Sequence, residues 1–262
     1  MTLNQTISVF SYFRNQSERI NVAKNAFDVL ILVARPAAGK SEIIDYLQKT
    51  DLETRWARFH VGELDVMDDF PLLWAWFEED DILSRMGQTR LHSDEAGYFE
   101  HPYLWHVLIE RLCLEYGKKL RDRPDYHDRF TTIIEFSRGT EHGGYREAFP
   151  HLSDDILQRA AIVYVNVSFA ESLRKNRCRF NPDRPDSILE HALPDEKLER
   201  LYREDDWKEF IATDKFVTVK GIRVPYAVFE NKDDVTTARG EALGKRLEEV
   251  LERLWMLKST NE

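Results

Sequence analysis

Ala34-Arg35-Pro36-Ala37-Ala38-Gly39-Lys40-Ser41 is the stretch on which the fold turns. It leaves Asp28-Val29-Leu30-Ile31-Leu32-Val33-Ala34, a short continuous apolar run rich in branched side chains, which reads as a strand buried on both faces. It enters Ser41-Glu42-Ile43-Ile44-Asp45-Tyr46-Leu47, whose spacing puts Ile43, Ile44 and Leu47 on one helical face. Strand, loop and helix together fit the pattern G-x-x-x-x-G-K-[ST]. Backbone N–H groups of such a loop and the positive end of its helix cradle phosphate oxygens; the lysine neutralises them and the serine hydroxyl ligates magnesium. Pro36, Ala37, Ala38, Gly39, Lys40, Ser41 and Glu42 are therefore the candidate phosphate-contacting residues, with Ser41 a metal ligand. Ala34 stands where the pattern has its first glycine, and a Cβ disfavours positive φ, so the loop conformation is open at that point.

Outward from the loop, the apolar pattern keeps a strand-then-helix rhythm. Further strands are expected at 56–61, 131–136, 161–167 and 224–229, the later ones separated by helical stretches. That order favours an α/β fold: a central parallel five-stranded sheet with helices on both faces, in three layers. Two stretches interrupt it. A helical insert over 65–130 follows the second strand and carries Trp74, Trp76, Phe77, Tyr98, Phe99, Tyr103 and Trp105 among many acids. A second region, 169–219, follows the fourth strand and opens with a basic cluster. Over 236–258, Leu243, Leu247, Val250, Leu251 and Leu254 share a helical face. No repeat or proline-rich linker divides the chain, so 1–262 reads as one domain with two elaborations.

Composition narrows the function. The 262 residues are 42% hydrophobic, enough for a substantial core, and carry a net charge of −10, which argues against a nucleic-acid-binding surface. Cys113 and Cys178 are far apart and fit no metal spacing, so a reducing compartment is the simpler setting. Residues 1–14 lack a basic start followed by an apolar block, and the apolar run at 29–34 is too short to cross a bilayer. A cytoplasmic protein without a membrane partner is expected; a homo-oligomer stays open.

Several polar stretches carry possible chemistry. Ile133-Ile134-Glu135 ends the third strand with a carboxylate, followed by Phe136-Ser137-Arg138. That stretch resembles the acid-x-Ser/Arg stretch at the same strand end in deoxynucleoside kinases, and the resemblance implies that Glu135 is a magnesium-shell acid or base and Arg138 a phosphate contact. Reading 135–139 as a degraded nucleophile elbow fails, because Glu135 occupies the position that must be small and loop follows. Glu63 and Asp65 follow the expected second strand, where kinase-like proteins, which this order of motifs resembles, place a carboxylate facing the acceptor hydroxyl. Glu78-Glu79-Asp80-Asp81 reads as a solvated helix face. Arg174, Lys175, Arg177, Arg179 and Arg184 cluster after the fourth strand, and Arg174 and Arg177 share a helical face. After the last strand come Glu230-Asn231-Lys232-Asp233-Asp234, in which Asn231, Lys232 and Asp234 spell N-K-x-D.

These motifs resemble the P-loop nucleoside triphosphatases, and within them the nucleotide- and nucleoside-kinase-like branch. The resemblance covers most of the chain in element order and rests on short motifs. It implies a parallel sheet, ATP with Mg2+ as donor, an acceptor region after the second strand and an arginine-bearing lid late in the chain. On that footing Arg174 and Arg177 are lid arginines that stabilise the transferring phosphoryl group. Asn231 and Asp233 belong to a loop packed by the adenine. GTPases use N-K-x-D to read guanine, so that alternative remains, as does a triphosphate-hydrolysing regulatory module. The leading expectation is an ATP- and Mg2+-dependent kinase acting on a small molecule, a nucleoside or nucleotide among the candidates, with the catalytic set Lys40, Glu63, Glu135, Arg138, Arg174 and Arg177.

Overall fold

The computed structural model describes residues 25–179, 192–211 and 215–260. Six strands form one sheet: β1 (Val29–Ala34), β2 (Glu63–Asp68), β3 (Phe130–Phe136), β4 (Ala160–Asn166), β5 (Phe216–Val219) and β6 (Ile222–Glu230). Their spatial order is β2-β3-β1-β4-β6-β5. All neighbours are parallel except β5, which runs antiparallel to β6 at the edge. The sheet is thus mixed and six-stranded rather than five-stranded and parallel. The extra strand is only four residues long and joins β6 through Lys220 and Gly221, both at positive φ, a tight hairpin turn.

Successive β1 residues face opposite layers, which is why the run is apolar throughout. Val29, Ile31 and Val33 join a core with α4 (Leu104–Asp122), α5 (Gly144–Ala148), α6 (Asp154–Arg159) and α9 (Trp207–Phe210). Leu30, Leu32 and Ala34 join the opposite core with α1 (Lys40–Lys49), α2 (Leu52–Phe59) and α10 (Glu241–Ser259). Leu243, Leu247, Val250, Leu251 and Leu254 are the buried stripe of α10, as the spacing implied. No helix among the described residues is long and apolar enough to cross a membrane.

The expected strand at 56–61 is instead the end of α2. Asp51 caps that helix by accepting from the Thr54 N–H at 2.9 Å, and His60 ends it in the left-handed conformation at φ 53°. Trp56 and Phe59 stand three residues apart, the spacing of one helical face. The real second strand, Glu-Leu-Asp-Val-Met-Asp, is hidden by its three carboxylates, two of which are paired along the sheet edge. Glu63 meets Arg129 at 2.7 Å, and Asp65 accepts from Lys119 and Tyr126. The insert accordingly begins at Asp69 rather than 65. It holds α3 (Phe70–Arg85) and α4, with a short hairpin between them bridged at Ser93 and Phe99.

That hairpin rests on Asp80, which is fully buried and not on a solvated face. Its carboxylate accepts from the N–H groups of Leu91 (2.7 Å), His92 (3.1 Å) and Ser93 (2.6 Å) and from the Ser93 hydroxyl (2.8 Å). Burial alone would push its pKa up, but these donors outweigh it and hold the group at about 2. Because the native value lies below the unfolded one, the stabilisation is complete above about pH 4 and disappears as pH falls toward 2. Asp80→Ala strands the buried donors, so chemical denaturation at pH 7 should show a loss of about 3 kcal/mol. The difference from wild type should shrink when the measurement is repeated near the acid limit of folding.

Candidate functional site

β1 ends on Ala34, which is buried in the strand and not at positive φ, so the absent glycine costs nothing there. The left-handed positions are Ala37 (φ 55°) and Gly39 (φ 115°). Gly39 is required twice over. Its φ suits glycine, and a Cβ would lie 2.6 Å from Thr236 Oγ1 and 2.9 Å from Asn231 Nδ2. Pro36 O accepts from the Ser172 hydroxyl at 2.7 Å and Ala38 O from Asn231 Nδ2 at 2.8 Å. The N–H groups of Gly39, Lys40, Ser41 and Glu42 have no acceptor among the described residues. These are the free donors of a helix start, of the kind that can hold an anion.

Lys40 is buried at the start of α1; its Nζ donates to Ser137 Oγ at 2.7 Å and lies 3.7 Å from Glu135 Oε1. Glu135, near the C-terminal end of β3, is in register with Asp68, the last residue of β2. Two carboxylates therefore end adjacent strands beside one ammonium. Burial raises the Glu135 pKa, Lys40 and Arg179 pull it back, and Asp69 and Glu42 push it further up. For Asp68, burial together with Glu135 and Asp69 outweighs the Phe70 N–H and Lys40, and its value rises to about 7.

The structure redistributes several expected roles. Glu63 begins β2 at the end of the strand opposite Asp68, paired with Arg129. The carboxylate that ends β2 in register with Glu135 is Asp68, and the doublet Asp68-Asp69 after an apolar-acidic stretch was the available signal. Arg138 is only 1% exposed and cannot meet a phosphate: it pairs with Asp69 at 2.7 Å, donates to Trp105 O at 3.0 Å and lies over the Trp105 and Phe136 rings. On α7 (Phe169–Arg179), Arg174 turns to Glu171 and Asp234, and Arg177 to Asp195, all at the surface. Arg179 is the one directed at the loop, 3.3 Å from Ser41 Oγ and 4.0 Å from Glu42 Oε2. Arg184 lies outside the described residues.

The loop after β6 is scaffold. Asn231 is fully buried, its Nδ2 on Ala38 O and Thr236 Oγ1, with nothing left for a base. Asp233 is exposed and held by Arg246 at 2.5 and 2.7 Å. Asp234 is claimed by Lys175, Arg174 and Thr237, and Lys232 pairs with Glu230, so the N-K-x-D residues do not converge on a guanine.

No protein-family model matches this chain, and no curated protein does. Among solved structures, it is similar to a shikimate kinase from Acinetobacter baumannii in complex with shikimate. The TM-score is 0.31 and the identity 13%, over 67% of this chain and 76% of that one.

The raised Asp68 value has a consequence for stability. Between the ordinary carboxyl pKa near 4 and about 7, the unfolded chain has released this proton while the native chain keeps it, so stability falls as pH rises. Asp68→Asn removes that penalty. The variant should gain on the order of 1 kcal/mol over wild type at pH 8 and little at pH 4, read from paired denaturant titrations. An equal gain at both pH values would show that the charge on Asp68 costs the fold nothing.

Proposed function

We propose that this chain is a phosphotransferase that uses ATP and Mg2+ to phosphorylate a hydroxyl group of a small molecule. The observation that carries the reading is the placement of Asp68 in register with Glu135, with Lys40 of the Gly39-Lys40-Ser41 loop 3.7 Å from Glu135 and acting electrostatically on Asp68. The donor set fits a magnesium triphosphate. Four unpaired N–H groups, one ammonium and one guanidinium suit phosphate oxygens, and the Ser41 hydroxyl with Glu135 suits an ion that prefers oxygen and few protein ligands. When bound, the ion would neutralise charge on the phosphate oxygens.

Each side chain then has a task. The N–H groups of residues 39–42 hold phosphate oxygens at the helix start. Lys40 exchanges Ser137 and Glu135 for the β- and γ-phosphates, and its burial among carboxylates keeps it extended in that direction. Arg179 faces the charge that spreads over the transferring group. Asp68, near half-protonated at neutral pH, accepts the proton of the acceptor hydroxyl. The acceptor lies on the side of the insert, which begins at the residue after Asp68. A hydrolase or regulatory module would use the same loop with water in the acceptor's place.

A thermal-shift screen of nucleotides with Mg2+, then of hydroxyl compounds added to the best nucleotide, tests the reading. ATP should raise the melting temperature, and Lys40→Ala should abolish that shift while leaving the unliganded melting temperature within a few degrees. Phosphate release that no acceptor accelerates would assign the hydrolase instead.

Once an acceptor is known, Asp68→Asn should reduce kcat by roughly 10²-fold or more with little change in the ATP KM. The wild-type rate should rise with pH through a midpoint near 7, since the ionised carboxylate is the active form. A flat profile between pH 5.5 and 8.5 would remove Asp68 from proton transfer.

A further inference from the structure

Beyond the two sheet cores lies a third, small cluster. Leu198, Leu201 and Tyr202 of α8 (Asp195–Tyr202) pack with Phe169 and Leu173 of α7 and with Tyr98 of the insert hairpin. Two separate parts of the chain, α7 and the hairpin, thus meet on one helix of eight residues.

The hairpin holds α8 by its tip. Lys197 Nζ donates to Gly97 O at 3.3 Å, and the Tyr98 ring lies 5.2 Å from that ammonium and 4.2 Å from the Arg200 guanidinium. The tip is preshaped: Gly97 is at φ 72°, and Asp94 Oδ1 accepts from the Tyr98 N–H at 2.8 Å. At its base the hairpin is fixed to α3 by Asp80. The other end of α8 is held by the phosphate loop. Arg35 donates to Tyr202 O and Arg203 O, both at 3.1 Å, and pairs with Asp205 at 2.7 Å. These contacts satisfy the C-terminal carbonyls that a helix leaves unpaired.

α7 supplies a second tether. Ser172 binds Pro36 O of the loop, and the last residue of α7, Arg179, reaches Ser41. An anion at the loop engages Arg179 only while α7 is docked, so it favours the docked state over any state in which α7 has lifted away. The cluster is small and separate from the sheet cores, and such units open locally at a fraction of the cost of unfolding the whole chain. Its equilibrium is therefore one that a ligand can bias.

We propose that α8 is a clasp through which nucleotide at the phosphate loop orders the Tyr98 hairpin of the acceptor-side insert. The inference rests on the nucleotide reading of the loop and adds to it a coupling between the two halves of the site. Coupling is reciprocal, so loosening the hairpin contact weakens nucleotide binding although Tyr98 touches no part of the loop.

Hydrogen exchange on the full chain, with and without Mg2+ and a non-hydrolysable ATP analogue, tests it. In wild type the amides of 37–43 and of 92–100 should both slow severalfold. In Tyr98→Ala, at saturating analogue, the loop should still slow and the hairpin should not, and calorimetry should show affinity reduced roughly fivefold or more. Tyr98→Phe keeps the ring and should behave as wild type. Lys197→Ala, at a half-exposed position, attacks the same contact without removing the ring and should give an intermediate loss. A wild-type loop that slows while the hairpin is unchanged overturns the clasp and leaves the nucleotide reading standing, as does a Tyr98→Ala variant of unchanged affinity. Slowing of neither segment overturns both.

Discussion

The closeness of Gly39 to the loop after β6 is the constraint on which the site depends. No side chain fits at 39 because Thr236 and Asn231 already occupy the space a Cβ would need. That contact is part of a buried chain of hydrogen bonds: Asn231 to Ala38 O and Thr236, and Lys175 to Thr236 and Asp234. Lys175 is 6% exposed, so its charge is affordable only with the Asp234 carboxylate at 2.7 Å. The loop therefore inherits its shape from β6 and α7, two elements far away in sequence.

Electrostatic frustration is concentrated on the opposite side of the loop. Asp68, Asp69 and Glu135 converge where three cations stand, and the pairing is uneven. Arg138 is committed to Asp69, Lys40 sits at 3.7 Å from Glu135 and also serves Ser137, and Arg179 is near Ser41 rather than against a carboxylate. Asp68 has no ion pair of its own among the described residues, and its raised pKa is the outcome. A fold selected only for stability would remove one of these acids, and carboxylates gathered with a shifted pKa in this way are characteristic of functional sites.

Much of this was legible in the sequence, for identifiable reasons. The strand-loop-helix at 29–47 combines an unbroken apolar run with a helix stripe, and both signals are local. The basic cluster after β4 was visible too, and the shared face of Arg174 and Arg177 was correctly inferred from helical spacing. Which way that face points is not a local property. It turns to Asp234 and Asp195, and the residue brought to the loop is Arg179 on another face. Asn231 failed similarly: a conspicuous motif letter proved to be a buried prop. β2 was missed because its polar residues find partners, Arg129, Lys119 and Tyr126, that come from 119–129 and cannot be read within the strand.

The same distinction separates the rigid from the adjustable parts of the molecule. Lys40, Glu135 and Asp68 stand on or beside strands whose side chains fill the two large cores, so their relative positions are set by sheet register. Arg179 stands at the end of α7, whose apolar residues Phe169 and Leu173 belong to the small third cluster. The loop and carboxylates are thus preorganised by the sheet, whereas Arg179 stands at the far end of α7, beyond the point where Ser172 and Lys175 anchor that helix and with only the small cluster under its apolar residues. On the proposed phosphotransferase reading that division suits the chemistry, since charge would develop on the transferring group only after donor and acceptor are both in place. Arg35 lies at the boundary, in the loop by sequence and on α8 by its hydrogen bonds. It makes the adjustable part answer to the rigid one.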